Sequence, residues 1–276
     1  MAILNRRTSQ SPPIRSIVLA SVFLSATVVS PLVPSMVTAE TVTAESMTAE
    51  MATPELTTAE LPLVFNAAST GGFEGYGRPA SRSSGGSRGN CQTLLVALVP
   101  GEGTLSDDCS QPTYSSTALT TESMPTLWFY IPEQDSPRQA ELALLDDNRQ
   151  AIAFETLSLP AESGVVGIPL GYELDLNQSY RWLFSISPET NPSRLLTVEG
   201  IVRRVSPDAE LMQHLEAAEG GRDRILYLAQ GGIWHDALTE LIMLRQQQPE
   251  DITLREDWRD FLVSVGLDLI VDSSIK

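Results

Sequence analysis

The 276 residues include 42% hydrophobic and 19% charged side chains, with 18 Gly and 18 Pro. That is enough chain for one or two domains with a buried core, and it excludes both a polytopic membrane protein and a chain disordered throughout. With 35 acidic against 18 basic residues the formal charge is −17, a surface that repels phosphate backbones and argues against nucleic acid as a partner. Two histidines and two cysteines are too few soft ligands for a zinc cluster or an iron–sulfur centre, so no metal and no cofactor is expected.

The first element is an address. Arg6, Arg7 and Arg15 precede the uncharged run Ile17–Ser30, which is followed by Pro31, Pro34 and the small-residue triplet Val37-Thr38-Ala39. Basic, apolar, then cleavable is the order of a secretory signal peptide, so residues 1–39 are expected to be removed after Ala39 and the chain to be exported to a periplasmic or extracellular space. The rival is an uncleaved anchor. Ile17 to Val37 just reaches bilayer length, but Pro31 and Pro34 break the helix, so no stable span is expected after cleavage. A twin-arginine reading of Arg6-Arg7 lacks the apolar residues that should follow the pair.

Residues 37–61 then divide into five imperfect pentapeptides, VTAET, VTAES, MTAEM, ATPEL and TTAEL. A period of five is neither helical nor extended, and it is far shorter than a solenoid unit. A Gly/Ser-rich piece with Arg78, Arg82 and Arg88 follows from Ser69 to Gly89. Residues 40–89 therefore read as an acidic, disordered linker. Within it, Gly85-Gly86-Ser87-Arg88-Gly89 matches the nucleophile-elbow pattern. That pattern needs a buried strand before the serine and a helix after it. Here a Gly/Ser/Arg run precedes the motif and an apolar strand follows, so Ser87 is not expected to be catalytic.

From residue 90 to 205 the chain shows short β-branched and aromatic runs bounded by turn residues. Strands are expected at Leu94–Val99, Thr126–Ile131, Glu141–Leu145, Ile152–Leu159, Val165–Pro169, Tyr180–Ser187 and Leu195–Val205, with Asp146-Asp147-Asn148 turning the third into the fourth. Closely spaced strands without intervening helices point to an antiparallel β-sandwich of immunoglobulin or fibronectin type. Leu174, six residues before Tyr180, gives the spacing of a tyrosine corner, and Tyr180, Trp182 and Phe184 alternate onto one face as core. Cys91 and Cys109 are the candidate disulfide: an exported chain meets an oxidising compartment, and the 17 residues between them can return a strand to its start.

After Pro207 the period turns helical over 206–276, with helices expected at Asp208–Ala218, Arg222–Gln230, Ile233–Gln247 and Leu254–Val265. Gly220-Gly221, Gly231-Gly232 and Pro249 separate them, which makes the overall class α+β. The stretch from Arg222 to Pro249, with Gly232 at the bend and Trp234, Ala237, Leu241 and Leu244 as apolar knobs, resembles one tetratricopeptide hairpin. Its candidate partner surface is Tyr227, Trp234 and His235. The paired acids Asp107-Asp108, Asp146-Asp147 and Glu256-Asp257 read as solvated faces.

Several linked motifs carry a wider resemblance over 76–276. Gly77-Arg78-Pro79, Gly85 through Cys91, Ala97-Leu98-Val99-Pro100, Pro125 through Pro132, Tyr180-Arg181-Trp182, Val198 through Val205 and Gly232-Ile233-Trp234-His235-Asp236-Ala237 together resemble the exported cyanobacterial family catalogued as domain of unknown function 928. The resemblance implies no transferable activity. Members often carry a cysteine just after the Tyr-x-Trp strand, whereas here Ser187 stands there and Cys109 lies elsewhere. The function expected on these grounds is a non-catalytic extracytoplasmic interaction module with a protein or glycan partner in the cell envelope. The alternatives are a regulatory or chaperone-like subunit holding peptide in the helical hairpin, and a hydrolase of unfamiliar type. His214 and His235 have no clustered nucleophile beside them in sequence, so no catalytic residue is assigned.

Overall fold

In the computed structural model the described residues are 61–66, 83–84, 94–102, 114–115, 117–133, 138–187 and 195–276. The signal segment 1–39, the pentapeptide repeats up to residue 60, Ser87, Cys91 and Cys109 lie outside them. The described residues all fall in one compact unit, 54–276.

The β-rich half is built from two sheets. The first has the order β1 (Ser83–Ser84), β2 (Leu95–Ala97), β6 (Thr126–Ile131), β9 (Gly164–Pro169) and is antiparallel throughout. The second has the order β5 (Thr117–Thr120), β11 (Leu196–Arg204), β10 (Ser179–Ile186), β7 (Arg138–Leu145), β8 (Ala151–Leu159), antiparallel except where β5 runs parallel to β11. A small ribbon pairs β3 (Gly101–Glu102) with β4 (Tyr114–Ser115). The sheets meet through alternating inward side chains, as a two-layer packing requires. Phe129 of β6 stacks on Phe184 of β10 at 4.1 Å and meets Trp182 edge-on at 5.5 Å. Tyr180, Trp182 and Phe184 are buried as the alternation predicts. The fold is thus α+β and sandwich-like.

Two pairings set how closely the strands pack. Trp182 lies opposite Gly200 in the β10–β11 ladder, and Trp128 lies opposite Gly167 in the β6–β9 ladder. A Cβ built at Gly200 would sit 2.2 Å from the Trp182 ring, and one at Gly167 would sit 2.7 Å from that of Trp128. Each indole lies over the backbone of its glycine neighbour, a close approach that only glycine permits. The expected β7–β8 turn is present: the Gln150 amide donates to the Asp146 side chain and Arg149 adopts φ +61°. The tyrosine-corner contact reaches Asp175, one residue beyond the expected leucine, with the Tyr180 hydroxyl accepting from the Asp175 amide and donating to its carboxylate. Strand β5 was not visible in the sequence, because Thr117-Ala118-Leu119-Thr120 has little hydrophobic alternation and is held by its parallel neighbour β11.

The helical part comprises α1 (Ala209–Ala217), α2 (Gly221–Gln230), α3 (Trp234–Gln247) and α4 (Ile252–Val263), followed by a 3-10 turn at Asp268–Ile270. Asp208 and Asp251 cap α1 and α4 by accepting from the amides of Leu211 and Leu254, which satisfies first-turn donors that otherwise lack partners. Gly232, at φ +74°, makes the turn between α2 and α3. Helix α3 is fastened to the sheets by side chains at its start. The Trp234 indole donates to the Leu98 carbonyl at 2.8 Å, and the Asp236 carboxylate accepts from the Thr120 hydroxyl and from the amide and hydroxyl of Thr121. The Trp128 indole reaches back from β6 to Thr239.

Candidate functional site

The end of α2, the start of α3 and the end of α4 converge on a groove, and the groove is occupied. Residues 61–66, Leu-Pro-Leu-Val-Phe-Asn, lie along it with a tight turn at Leu63, where the Val64 amide donates to the Pro62 carbonyl at 3.1 Å. Burial alternates: Leu63 and Phe65 are buried, Leu61 is half-buried, and Pro62, Val64 and Asn66 face outward. One side of the segment therefore enters an apolar trough. The Phe65 ring meets Trp234 edge-on at 4.9 Å and Phe261 at 6.1 Å, and those two rings stack on each other at 4.8 Å, forming an aromatic floor.

Polar anchors hold the backbone of this segment at both ends. The Arg222 guanidinium donates to the Leu61 carbonyl at 2.8 Å, while the Phe65 amide donates to Ser264 Oγ and the Asn66 amide to the Ala229 carbonyl, each at 3.1 Å. The Asn66 side-chain amide adds a bond to the Gln230 carbonyl. Arg222 is itself fixed by a two-pronged pair with Asp257, both contacts at 2.8 Å, and the Asp257 side chain is only 5% exposed. Such a fork restricts the guanidinium to the orientation that faces the peptide carbonyl. The Glu256-Asp257 pair therefore divides: Glu256 is exposed, whereas Asp257 is a buried positioning group rather than part of a solvated face.

The stretch 40–89 is accordingly not uniform linker. The missed signal was the spacing Leu61-x-Leu63-x-Phe65, the one apolar alternation between a Thr/Ala/Glu repeat and a Gly/Ser tract. Of the expected partner surface, His235 is 1% exposed, and Trp234 is fully buried with Phe65 of the seated segment against its ring. Trp234 touches the seated segment from below. Tyr227 is half-buried and stacks on His214 at 4.8 Å. The pair lines a cavity of about 320 Å³ with Asp208, Glu210 and Gln230, next to the groove end where Asn66 bonds.

His235 is buried with its ring turned away from solvent. Neither ring nitrogen has a hydrogen-bond partner among the described residues, and burial pulls its pKa down to about 3, which keeps the ring neutral. Neighbouring Asp236 spends its oxygens on Thr120 and Thr121, so the two adjacent residues serve separate structural roles. Burial pushes the Glu240 carboxyl up while the Arg224 guanidinium opposes the shift. Among the described residues no group of three or more His, Cys, Asp or Glu side chains is placed to hold a metal ion, and no helix is long and apolar enough to cross a membrane.

The chain matches no curated protein. The helices, the groove floor, the Arg222–Asp257 anchor and both sheets fall within residues 81–275, which match the model of one protein family, whereas the seated segment precedes them. The chain belongs to the family described as Domain of Unknown Function (DUF928).

Proposed function

We propose that this chain is an exported, non-catalytic interaction module of the cell envelope whose partner surface is the groove between α2, α3 and α4. The observation that carries the reading is the seated segment: the groove already takes a short apolar peptide, with backbone anchors at its ends and Leu63 and Phe65 buried in the trough. Export rests on the order of residues 1–39, and N-terminal sequencing of protein recovered outside the cytoplasm should begin after Ala39.

The interaction reading is tested by placing a photoreactive residue at Val263, which is exposed and adjoins the peptide-anchoring Ser264. Illumination in producing cells is expected to give one discrete protein adduct that excess peptide of residues 59–68 suppresses. The same label at exposed Phe154 of β8, on the sandwich, serves as control. Equal labelling from both positions, or none from Val263, would refute the groove as the partner surface.

A further inference from the structure

Resting on that reading, we propose that the groove is a receptor site for a short segment of a partner protein carrying leucine and phenylalanine two residues apart, and that residues 61–66 are its built-in competitor. Three observations carry this. The segment defines the ligand chemistry: two apolar side chains at i and i+2 enter the trough, while the residue between them points outward and is unconstrained by the floor. Backbone atoms of the segment make cross-groove anchors at three points, the Leu61 carbonyl and the amides of Phe65 and Asn66. Any peptide carries such backbone atoms, so selectivity rests on its side chains, chiefly the two that are buried. Finally, the groove lies inside the family-matched residues 81–275 and its occupant lies outside them. The family-matched residues build the site, and a stretch N-terminal to them supplies the occupant.

A ligand tethered in cis competes through its effective concentration, in the millimolar range for a short connection. Sixteen residues separate Asn66 from Ser83, the first described sheet residue. If residues 61–66 bind the groove with an intrinsic dissociation constant of ~10 μM, any partner segment would bind the closed chain on the order of a hundredfold more weakly than the opened one. The occupied groove is thus a threshold: only a partner segment that is itself locally concentrated or better matched displaces residues 61–66.

The test uses the full chain and a fluorescein-labelled peptide of residues 59–68. Two opened forms are compared with the parent. One carries Leu63→Asp with Phe65→Asp; the other carries a specific protease site inserted after Gly72 and is cut, so that the segment stays only if it binds without a covalent link. Fluorescence anisotropy is expected to show roughly hundredfold tighter peptide binding to both opened forms than to the uncut parent. A labelled peptide with Leu63→Asp and Phe65→Asp should bind none of them. If the double variant fails to fold, the cut chain decides the matter. A cut chain that neither releases its N-terminal piece nor takes up labelled peptide, or that binds both peptides equally, overturns the proposal. Loss of peptide exchange with the Val263 adduct intact would overturn this inference alone, whereas exchange without any adduct would overturn only the interaction reading.

Discussion

Replacing His235 by leucine tests whether burial, rather than function, governs this imidazole. The ring is buried with neither nitrogen bonded among the described residues, and its pKa falls to about 3 from the ordinary 6.5 because the charged form is desolvated. The sign follows from linkage. Below pH 6.5 the unfolded chain binds a proton at this residue that the folded chain refuses, so stability falls as the solution is acidified from about 6.5 towards 3 and is fully present above that window. At about 1.36 kcal/mol per pH unit, acidification from pH 7 to pH 5 costs about 2 kcal/mol through this group alone. Leucine has nothing to protonate and similar bulk. His235→Leu should therefore lose about 2 kcal/mol less than the parent between pH 7 and pH 5, and at pH 7 it should be more stable by about 1 kcal/mol, since a buried polar atom without a partner has been removed. Urea unfolding followed by tryptophan fluorescence at a series of pH values measures both quantities. Parallel stability curves for parent and variant across pH 7 to 5 would refute the assignment, as would a variant that is less stable at pH 7.

Three further substitutions probe the framework. Arg222→Ala removes the partner of a buried carboxylate and should cost about 3–5 kcal/mol in urea unfolding, with Asp257→Asn in the same background recovering part of the loss, because the unpaired charge is then gone. Gly200→Ala drives a Cβ to 2.2 Å from the Trp182 ring and should destabilise by about 3 kcal/mol, a loss that Trp182→Leu in the same chain partly relieves; additive losses would show that the two positions do not clash. Asp236→Ala strands the Thr120 hydroxyl and the Thr121 amide at the junction of sheet and helix, costing about 2–3 kcal/mol by thermal unfolding, whereas Thr120→Val, which removes a donor and leaves the carboxylate its Thr121 bonds, should cost less.

Periodicity made most of the scaffold legible. The runs around Trp128, Trp182 and Val198 and the four helices are found within a few residues of their expected places, since each has a strong period and punctuating glycine, proline or capping aspartate. What escaped has a physical reason in each case. Strand β5 is held by its neighbour rather than by its own pattern. The glycines opposite Trp128 and Trp182 acquire meaning only once the ladder register is known, because Gly200 and Trp182 are 18 residues apart in sequence. Asp257 reads as half of an exposed acidic pair until Arg222 of α2 is brought to it across 35 residues. Residues 61–66 were hidden by their surroundings: a short alternation of three apolar side chains carries little weight inside a low-complexity stretch, and only the distant floor of Trp234 and Phe261 gives it a place to bind.

The position of that floor links the sandwich to the groove. Trp234 has two faces at work, since its ring carries Phe65 of the segment while its indole nitrogen donates to the carbonyl of Leu98, the residue following β2. Asp236, two residues on, is fastened to Thr120 and Thr121 at the end of β5, and Thr239, five residues beyond Trp234, accepts from Trp128 of β6. Three positions in the first half of α3 are therefore fixed from the sheets, and with them the ring that Phe65 meets. A site supported in this way is organised before its ligand arrives, which lowers the ordering cost of binding. It also ties recognition to the integrity of the β half. Substitutions at Thr120 or Thr239 that leave every groove-lining side chain in place should weaken peptide binding in proportion to how far they loosen α3, and the helical hairpin detached from the strands should not retain the groove.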